Sequence, residues 1–268
     1  MIGLLVLRIL AHFTADSFVI CIHAAEIKSV QQYFAMNIRS APILRELQYI
    51  ELDEAAQVLG RGMCHNPVNV RAFNIGDDER RGRALSRFFV PVLRGLFKRG
   101  VLVGAFRDGS LVGVCGMAKP GVCQPSMREK LSIVPSLIGR NSPATVLRVL
   151  RWTGEWARRD VPEPHWHLGP VAVDPFLQGQ GIGSAMLTAF CDRVDSCHAL
   201  SYLETDKPEN VSLYQKFGFV VVAQADVLSV RNWFMTRQPR ATVKNEKETL
   251  PSQRHEYPAE PGPSHLLR

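Results

Sequence analysis

The sequence predicts a mixed α/β domain over residues 46–238 of a 268-residue chain. Three observations carry that expectation. Segments of strand-like and helix-like periodicity alternate through the middle of the chain. Asp108-Gly109-Ser110 separates two short apolar runs, as in a hairpin. A strand-like segment runs into three glycines at alternate positions, and an amphipathic helix begins there. The composition agrees: 46% hydrophobic and 21% charged residues, with 20 Gly and 17 Pro, suit a globular chain. No run reaches the ~18 uncharged apolar residues of a membrane-spanning helix.

Residues 1–45 read as an N-terminal extension. Its apolar stretch from Met1 to Ala25 is interrupted by Arg8 and Asp16, which argues against a signal peptide or a span, and Met36 is a second candidate start. LQYIEL then alternates like a strand, and Asp53 caps a helix over EAAQVLGRGM. MCHNPVNVRAFN reads as a loop. Asp77 and Asp78 precede a long helix whose buried stripe is Leu85, Phe88, Phe89, Val92, Leu93 and Leu96, and Gly100 ends it.

The hairpin strands are VLVGAFR and LVGVCGMA. A Pro- and Gly-rich stretch runs from Pro120 to Asn141, and Ser142-Pro143 opens another helix in the N-cap and N1 positions. HWHLGPVAV is a strand ending at Asp174-Pro175, and regular alternation puts residues 165, 167, 169, 171 and 173 on one face. The next helix carries Ile182, Ala185, Met186, Ala189 and Phe190 on one side. Then come the strand ALSYLET, the helix NVSLYQKF, and the closing strands FVVVAQADV and NWFMTR. Residues 239–268 turn to Pro, Glu, Ser and Lys and read as a disordered tail.

The formal charge is +7, from 32 Lys and Arg against 25 Asp and Glu. That balance admits an anionic ligand, a nucleic acid or a membrane surface. The arginines are dispersed and no nucleic-acid motif occurs, so neither nucleic acid nor membrane is expected as a partner. The six cysteines, Cys21, Cys64, Cys115, Cys123, Cys191 and Cys197, form no C-x-x-C pair. No His pair stands at finger spacing, so no metal site is expected. Scattered thiols in a chain of this length point to a reducing, cytoplasmic compartment.

VAVDPFLQGQGIGS, residues 171–184, is the segment with chemistry in it. Alternate glycines let successive backbone N–H groups converge at a helix N-terminus, where a pyrophosphate is the natural guest. The dinucleotide fingerprint fails, because the sixth position from Gly179 is Ser184 and from Gly181 is Met186. No G-x-x-x-x-G-K-[ST] occurs either. After Gln178-x-x-Gly181-x-Gly183 come Tyr202-Leu203-Glu204-Thr205 and then Asn210-Val-Ser-Leu-Tyr214-Gln-Lys-Phe217-Gly218-Phe219.

This pairing resembles the GNAT superfamily of acetyl-CoA-dependent N-acetyltransferases, most strongly over about residues 165–237. Within it, EPHWHLGPVAV, QGQGIGSAM, LETD, LYQKFGF and NWFMTR are most similar to puromycin N-acetyltransferase and its relatives. The resemblance implies a mostly antiparallel central sheet flanked by helices, with a splayed strand pair that holds acetyl-CoA. It implies pyrophosphate binding by Gln178, Gly179, Gln180, Gly181, Ile182, Gly183 and Ser184. Val171, Ala172 and Val173 would pair with the pantetheine arm as an added strand, and Asn210 would touch that arm or cap its helix. Tyr214 would protonate the departing thiolate, although it also reads as a packing residue beside Val211 and Phe217.

For the amine side there are two candidates. His167 takes the strand position where some members carry a catalytic base, and it equally reads as a packing or substrate-contact residue. Glu204 ends the neighbouring strand and reads alternatively as an ion-pair partner or a substrate anchor. The acceptor is expected near Gly62–Phe73, Trp152–Trp166 and Asp226–Asn232, where Cys64, His65, Asn66, Trp166 and Trp233 are candidate lining residues. The implied activity is direct transfer of acetyl from acetyl-CoA to a primary amine of a small molecule or protein. The competing reading is a non-catalytic acyl-CoA-binding module on the same fold. A homodimer stays open.

Overall fold

A computed structural model of the chain describes residues 41–138 and 142–240. The sequence readings for residues 1–40 and 241–268 therefore lie outside the described residues.

The sheet starts with β1 (Ile43–Glu46), paired antiparallel with β2 (Gly100–Arg107). The strand expected over LQYIEL is instead a 3-10 turn, Tyr49–Glu51, leading into α1 (Leu52–Gly62). Burial explains the difference. Leu47 and Leu52 enter the core, whereas Tyr49 and Ile50 face solvent, so the apparent alternation has no buried face to serve. The turn is held by Glu51, whose carboxylate accepts from the Gln48 N–H (2.7 Å) and from both terminal nitrogens of Arg45 (2.5 and 2.9 Å).

Part of the expected loop at 63–74 is helical: α2 (Pro67–Phe73). Pro67 fits its first turn, and its N-terminus is capped from far away, with Asp206 Oδ2 accepting the Val68 N–H at 2.7 Å. The long helix α3 (Asp78–Arg99) begins where its aspartates place it. Asp77 Oδ1 accepts the Arg80 N–H at 2.7 Å, and Gly100 follows the last turn. The hairpin β2–β3 (β3, Ser110–Ala118) turns at Asp108-Gly109, as read from the sequence.

The Pro- and Gly-rich stretch contains a helix, α4 (Met127–Leu137), entered through a reciprocal cap between Ser126 and Glu129. After it come α5 (Pro143–Ala157), β4 (His165–Val173), α6 (Ile182–Ser196), β5 (Leu200–Thr205), α7 (Pro208–Lys216), β6 (Val220–Val227) and β7 (Val230–Arg237).

The seven strands lie in the order β1-β2-β3-β4-β5-β7-β6. Every neighbouring pair is antiparallel except β4 with β5. One face is covered by α1, α2, α3 and α5 through Leu59, Phe73, Leu85, Phe88, Leu93 and Trp152. The other is covered by α6 and α7 through Ile182, Met186, Phe190 and Tyr214. β2 serves both, with Val101, Val103 and Ala105 on the α6 side and Leu102 on the α3 side. The fold is the mixed, mostly antiparallel sheet flanked by helices that the sequence predicts.

Two features position the site. The parallel pair β4–β5 is short: His165, Trp166 and His167 pair with Leu200, Ser201 and Tyr202, and the strands then diverge. Regular alternation along β4 also fails. Leu168 pairs with Met117, but Val171 pairs with Cys115, so one extra residue bulges between them. Trp166, Leu168, Val171 and Val173 all reach the α6 side, while Ala172 packs on the α3 side. The expectation that residues 165, 167, 169, 171 and 173 share one face is therefore corrected, because the bulge reverses the two halves of the strand.

Candidate active site

The divergence of β4 from β5 opens a cleft. One mouth is the Gly-rich turn. Gly179 (φ 73°) and Gly181 (φ 82°) adopt the left-handed conformation that glycine tolerates without strain, and Gly181 caps α6. The first N–H groups of α6 have no partner within the helix and carry the positive end of its dipole. The turn is braced by side chains rather than by packing. Gln178 Nε2 donates to the Val173 carbonyl (3.1 Å), and Gln180 Nε2 donates to the Phe176 carbonyl (3.3 Å). Arg107 donates to Gln180 Oε1 (2.6 Å), which brings a guanidinium beside the turn.

This turn forms one end of a cavity of about 360 Å³. Val171, Ala172 and Val173 make its wall, with Gly183, Ser184, Lys207 and Asn210 also lining it. On one edge these β4 residues pair with β3; beyond His167 their other edge has no β5 partner. All the residues predicted for the cofactor, Gln180 and Ile182 included, belong to this turn, this strand edge or α7. Asn210 Nδ2 lies 3.4 Å from Thr205 Oγ1 and is the third residue of α7, so its expected capping role passes to Lys207 at the N-cap.

A second cavity, of about 240 Å³, lies through the gap on the α3 side. Phe88, Trp152 and Trp156 form an aromatic wall, and Trp156 is fixed by its Nε1–H to Asn232 Oδ1 (3.0 Å). The opposite wall carries His167, Glu204 and Asp206. Met63, Asn66, Val171, Asn210 and Tyr214 line both cavities, so the two meet at the split in the sheet.

Tyr214 stands at that meeting point, on α7, with its ring edge-to-face on Phe219 at 5.9 Å. Burial pushes its phenol above the ordinary tyrosine range, so it keeps its proton at neutral pH. His167 Nε2 and Glu204 Oε2 are 2.8 Å apart. Burial alone would lower the imidazole, but the Glu204 carboxylate outweighs it and pushes His167 up to about 10. The imidazole is therefore charged and paired at neutral pH, and it does not offer a free lone pair at Nε2 as a base.

The remaining sequence candidates separate. Asn66 lines both cavities. Cys64 is buried, and His65 faces Asp78 on the outside. Trp166 packs under α6, on the far side of the sheet. Trp233 also belongs to the α6-side core. Sequence reasoning did not single out Asp206, which holds the N-terminus of α2 over the gap, or Arg107, and it named Trp156 and Asn232 only through the segments Trp152–Trp166 and Asp226–Asn232 expected near the acceptor. Asp206 directly follows LET in a segment already under suspicion; the other three join elements far apart in the chain.

The comparisons with known proteins bear on this geometry. Residues 76–219 match the family model described as Acetyltransferase (GNAT) family. The chain belongs to the GNAT acetyltransferase family. Among solved structures it is similar to a histone acetyltransferase HPA2 and related acetyltransferase from Corynebacterium glutamicum, with a TM-score of 0.57 and 21% identity over 76% of this chain and 99% of that one. It is also similar to PH1933 from Pyrococcus horikoshii (TM-score 0.48, 15% identity, 75% and 99% covered). A third is the PaiA N-acetyltransferase of Thermoplasma acidophilum, solved with coenzyme A (TM-score 0.46, 12% identity, 74% and 99% covered).

Proposed function

We propose that the protein transfers an acetyl group from acetyl-CoA to the primary amine of a small molecule with an apolar body. The observation that carries this reading is the junction at Tyr214, where a phosphate-binding turn and open strand edge meet an aromatic cavity with carboxylates on its far wall.

The pyrophosphate of the cofactor sits on the N–H groups of residues 179–184, and Arg107 and Lys207 add positive field. The pantetheine amides add to the free edge of β4 at Val171–Val173. The same strand's N–H groups face the thioester carbonyl and stabilise the oxyanion that forms there. On the acceptor side Glu204 and Asp206 attract an ammonium, and Phe88, Trp152 and Trp156 take its apolar body.

The amine loses one proton to solvent before it attacks. Its nitrogen bonds to the carbonyl carbon and becomes cationic, hence far more acidic than a free ammonium, and Glu204 takes that second proton. As the C–S bond breaks, the Tyr214 proton passes to the departing sulfur, and the phenol recovers a proton from solvent. A CoA thiol of ordinary pKa, ~8.5, is more acidic than this phenol, so Tyr214 acts by placing its proton on sulfur as charge develops. His167 acts through Glu204: its Nε2–H points the carboxylate into the gap.

An amine panel assayed by CoA release, with mass spectrometry of the products, tests the proposal. The expected result is a single added acetyl on a hydrophobic primary amine. CoA binding without thiol release on any amine overturns it.

A further inference from the structure

Cys123, Asp160, His165 and His167 converge beside the acceptor cavity, and their ligand atoms all lie within 4.8 Å of one another. They come from three places: the loop after β3, the turn before β4, and β4 itself. That is why no sequence spacing announces them.

Three of the side chains are held from outside the cluster with one donor atom turned inward. His165 Nδ1 bonds the Glu163 carbonyl at 2.7 Å, which leaves Nε2. His167 Nε2 bonds Glu204 at 2.8 Å, which leaves Nδ1. Asp160 Oδ2 accepts from Gln124 Nε2, which leaves Oδ1. Those three inward atoms are buried and have no hydrogen-bond partner. The His165 and Asp160 side chains are only 2% and 9% exposed, and their inward atoms approach to 3.0 Å without the geometry of a hydrogen bond. Cys123 Sγ completes the group, 3.7 Å from Asp160 Oδ2. Buried polar atoms are nearly always satisfied, so three orphans aimed at one point call for a ligand.

We propose that these four side chains bind a divalent transition-metal ion, zinc by their chemistry, through Cys123 Sγ, Asp160 Oδ1, His165 Nε2 and His167 Nδ1. The donor set is sulfur, carboxylate oxygen and two imidazole nitrogens, the mixture that zinc accepts in tetrahedral sites. Tetrahedral coordination requires donor atoms about 3.4–3.7 Å apart; the four lie within 4.8 Å of one another, with Asp160 Oδ1 and His165 Nε2 at 3.0 Å, so rearrangements of about an ångström or less reach it. Charge balances as well. A thiolate and a carboxylate neutralise the divalent ion, and both imidazoles bind neutral. The thiol proton and the protons that the imidazolium forms carry on His167 Nδ1 and His165 Nε2 are released to solvent as the metal bonds form.

The outer partners match those of known metal-bound histidines, a carbonyl behind one ring and a carboxylate behind the other. Four protein ligands close the site, so its role is structural. It pins the loop after β3 to the first half of β4. It also fixes His167 with its Nε2–H toward Glu204, so metal occupancy orients the acceptor-side carboxylate. A neighbouring cavity of about 380 Å³, lined by Cys123, Gln124 and His167, gives the ion access.

The test uses cobalt(II) as a spectroscopic probe on the full-length protein after chelation. The expected result is one equivalent bound, with a near-ultraviolet sulfur-to-cobalt charge-transfer band and tetrahedral visible bands that zinc displaces. C123S should lose the charge-transfer band. H165Q should weaken binding at least tenfold while both variants keep cooperative melting. Absence of the band in the wild-type protein overturns the proposal. So does its persistence in C123S, which would assign it to another thiol. If C123S does not fold, H165Q and D160N decide the matter: unchanged cobalt affinity in both refutes the site. CoA binding, followed in the same samples, reports on the acetyltransferase reading separately.

Discussion

Gly62 closes α1 directly against the cofactor-facing strand, and adding one methyl there tests how the cleft is held. An ideal Cβ at Gly62 would lie 2.7 Å from the Val173 carbonyl oxygen and 2.8 Å from Ala172 Cβ. Ordinary contacts begin near 3.4 Å, so Gly62→Ala forces α1 and the end of β4 apart by roughly 0.7 Å. The obstacle is backbone, which cannot rotate away. Overpacking of this kind costs about 1–3 kcal/mol. For a domain of this size 2 kcal/mol corresponds to a fall in Tm of about 4–8 °C. The displaced segment is also the pantetheine-binding edge, and its carbonyl at Val173 receives the Gln178 brace. Coenzyme A affinity should therefore fall by about tenfold, or ~1.4 kcal/mol. Gly60→Ala is the control. Its Cβ would meet the Gly82 carbonyl of α3 at 2.5 Å, away from the cleft. It should lower Tm comparably and leave CoA affinity within about twofold. Scanning fluorimetry and a CoA titration read both quantities. Wild-type Tm and wild-type CoA affinity in Gly62→Ala would refute the argument, and so would equal losses of CoA affinity in both variants.

Three further outcomes are expected. Tyr214→Phe should lower kcat by about 100-fold or more with little change in CoA affinity, since it removes a proton donor and keeps the ring on Phe219; pre-steady-state thiol release measures this. Gly181→Ala places a side chain at φ 82° and should cost about 1–2 kcal/mol, seen in urea melts, while loosening CoA. The third concerns acid. Arg237 donates to both oxygens of Asp195 at 2.7 Å and holds its carboxyl below the ordinary range. A depressed carboxylate stabilises the fold above its unfolded pKa of ~3.9, and that stability is lost as pH falls through the folded value. Asp195→Asn should therefore be less stable by about 2 kcal/mol at pH 7, with the gap closing in strong acid; melts across pH reveal it.

Much of the fold is legible in the residues. The caps at Asp77 and Ser142-Pro143, the Asp108-Gly109 hairpin, and the paired motifs around Gly181 and Tyr214 are local signals, and the structure places elements where they point. The misses share a cause. α2 owes its cap to Asp206, which is remote in sequence. LQYIEL alternates without a surface to bury. α4 hides in a stretch whose composition suggests a loop, although Ser126-x-x-Glu129 is a readable capping box. In the site, the cofactor side is contiguous and could be read, whereas the acceptor side is assembled from α3, α5, β4 and β5. The charge state of His167 depends on Glu204, which no single segment contains.

The bulge in β4 has a consequence for how one strand serves two cavities. Because one extra residue stands between Leu168 and Val171, odd-numbered side chains change side there: His167 faces the acceptor cavity, whereas Val171 and Val173 reach the α6 side. Of the first half, His167 lines the acceptor cavity, while the Trp166 and Leu168 side chains are core, and Val171–Val173 line the cofactor cavity. Deleting one residue at the bulge would restore a regular pleat with Leu168 and Val171 still on the α6 side, at the expense of the local twist that the extra residue gives the strand. A single irregularity thus lets one strand hand His167 to the acceptor cavity and Val171–Val173 to the cofactor cavity.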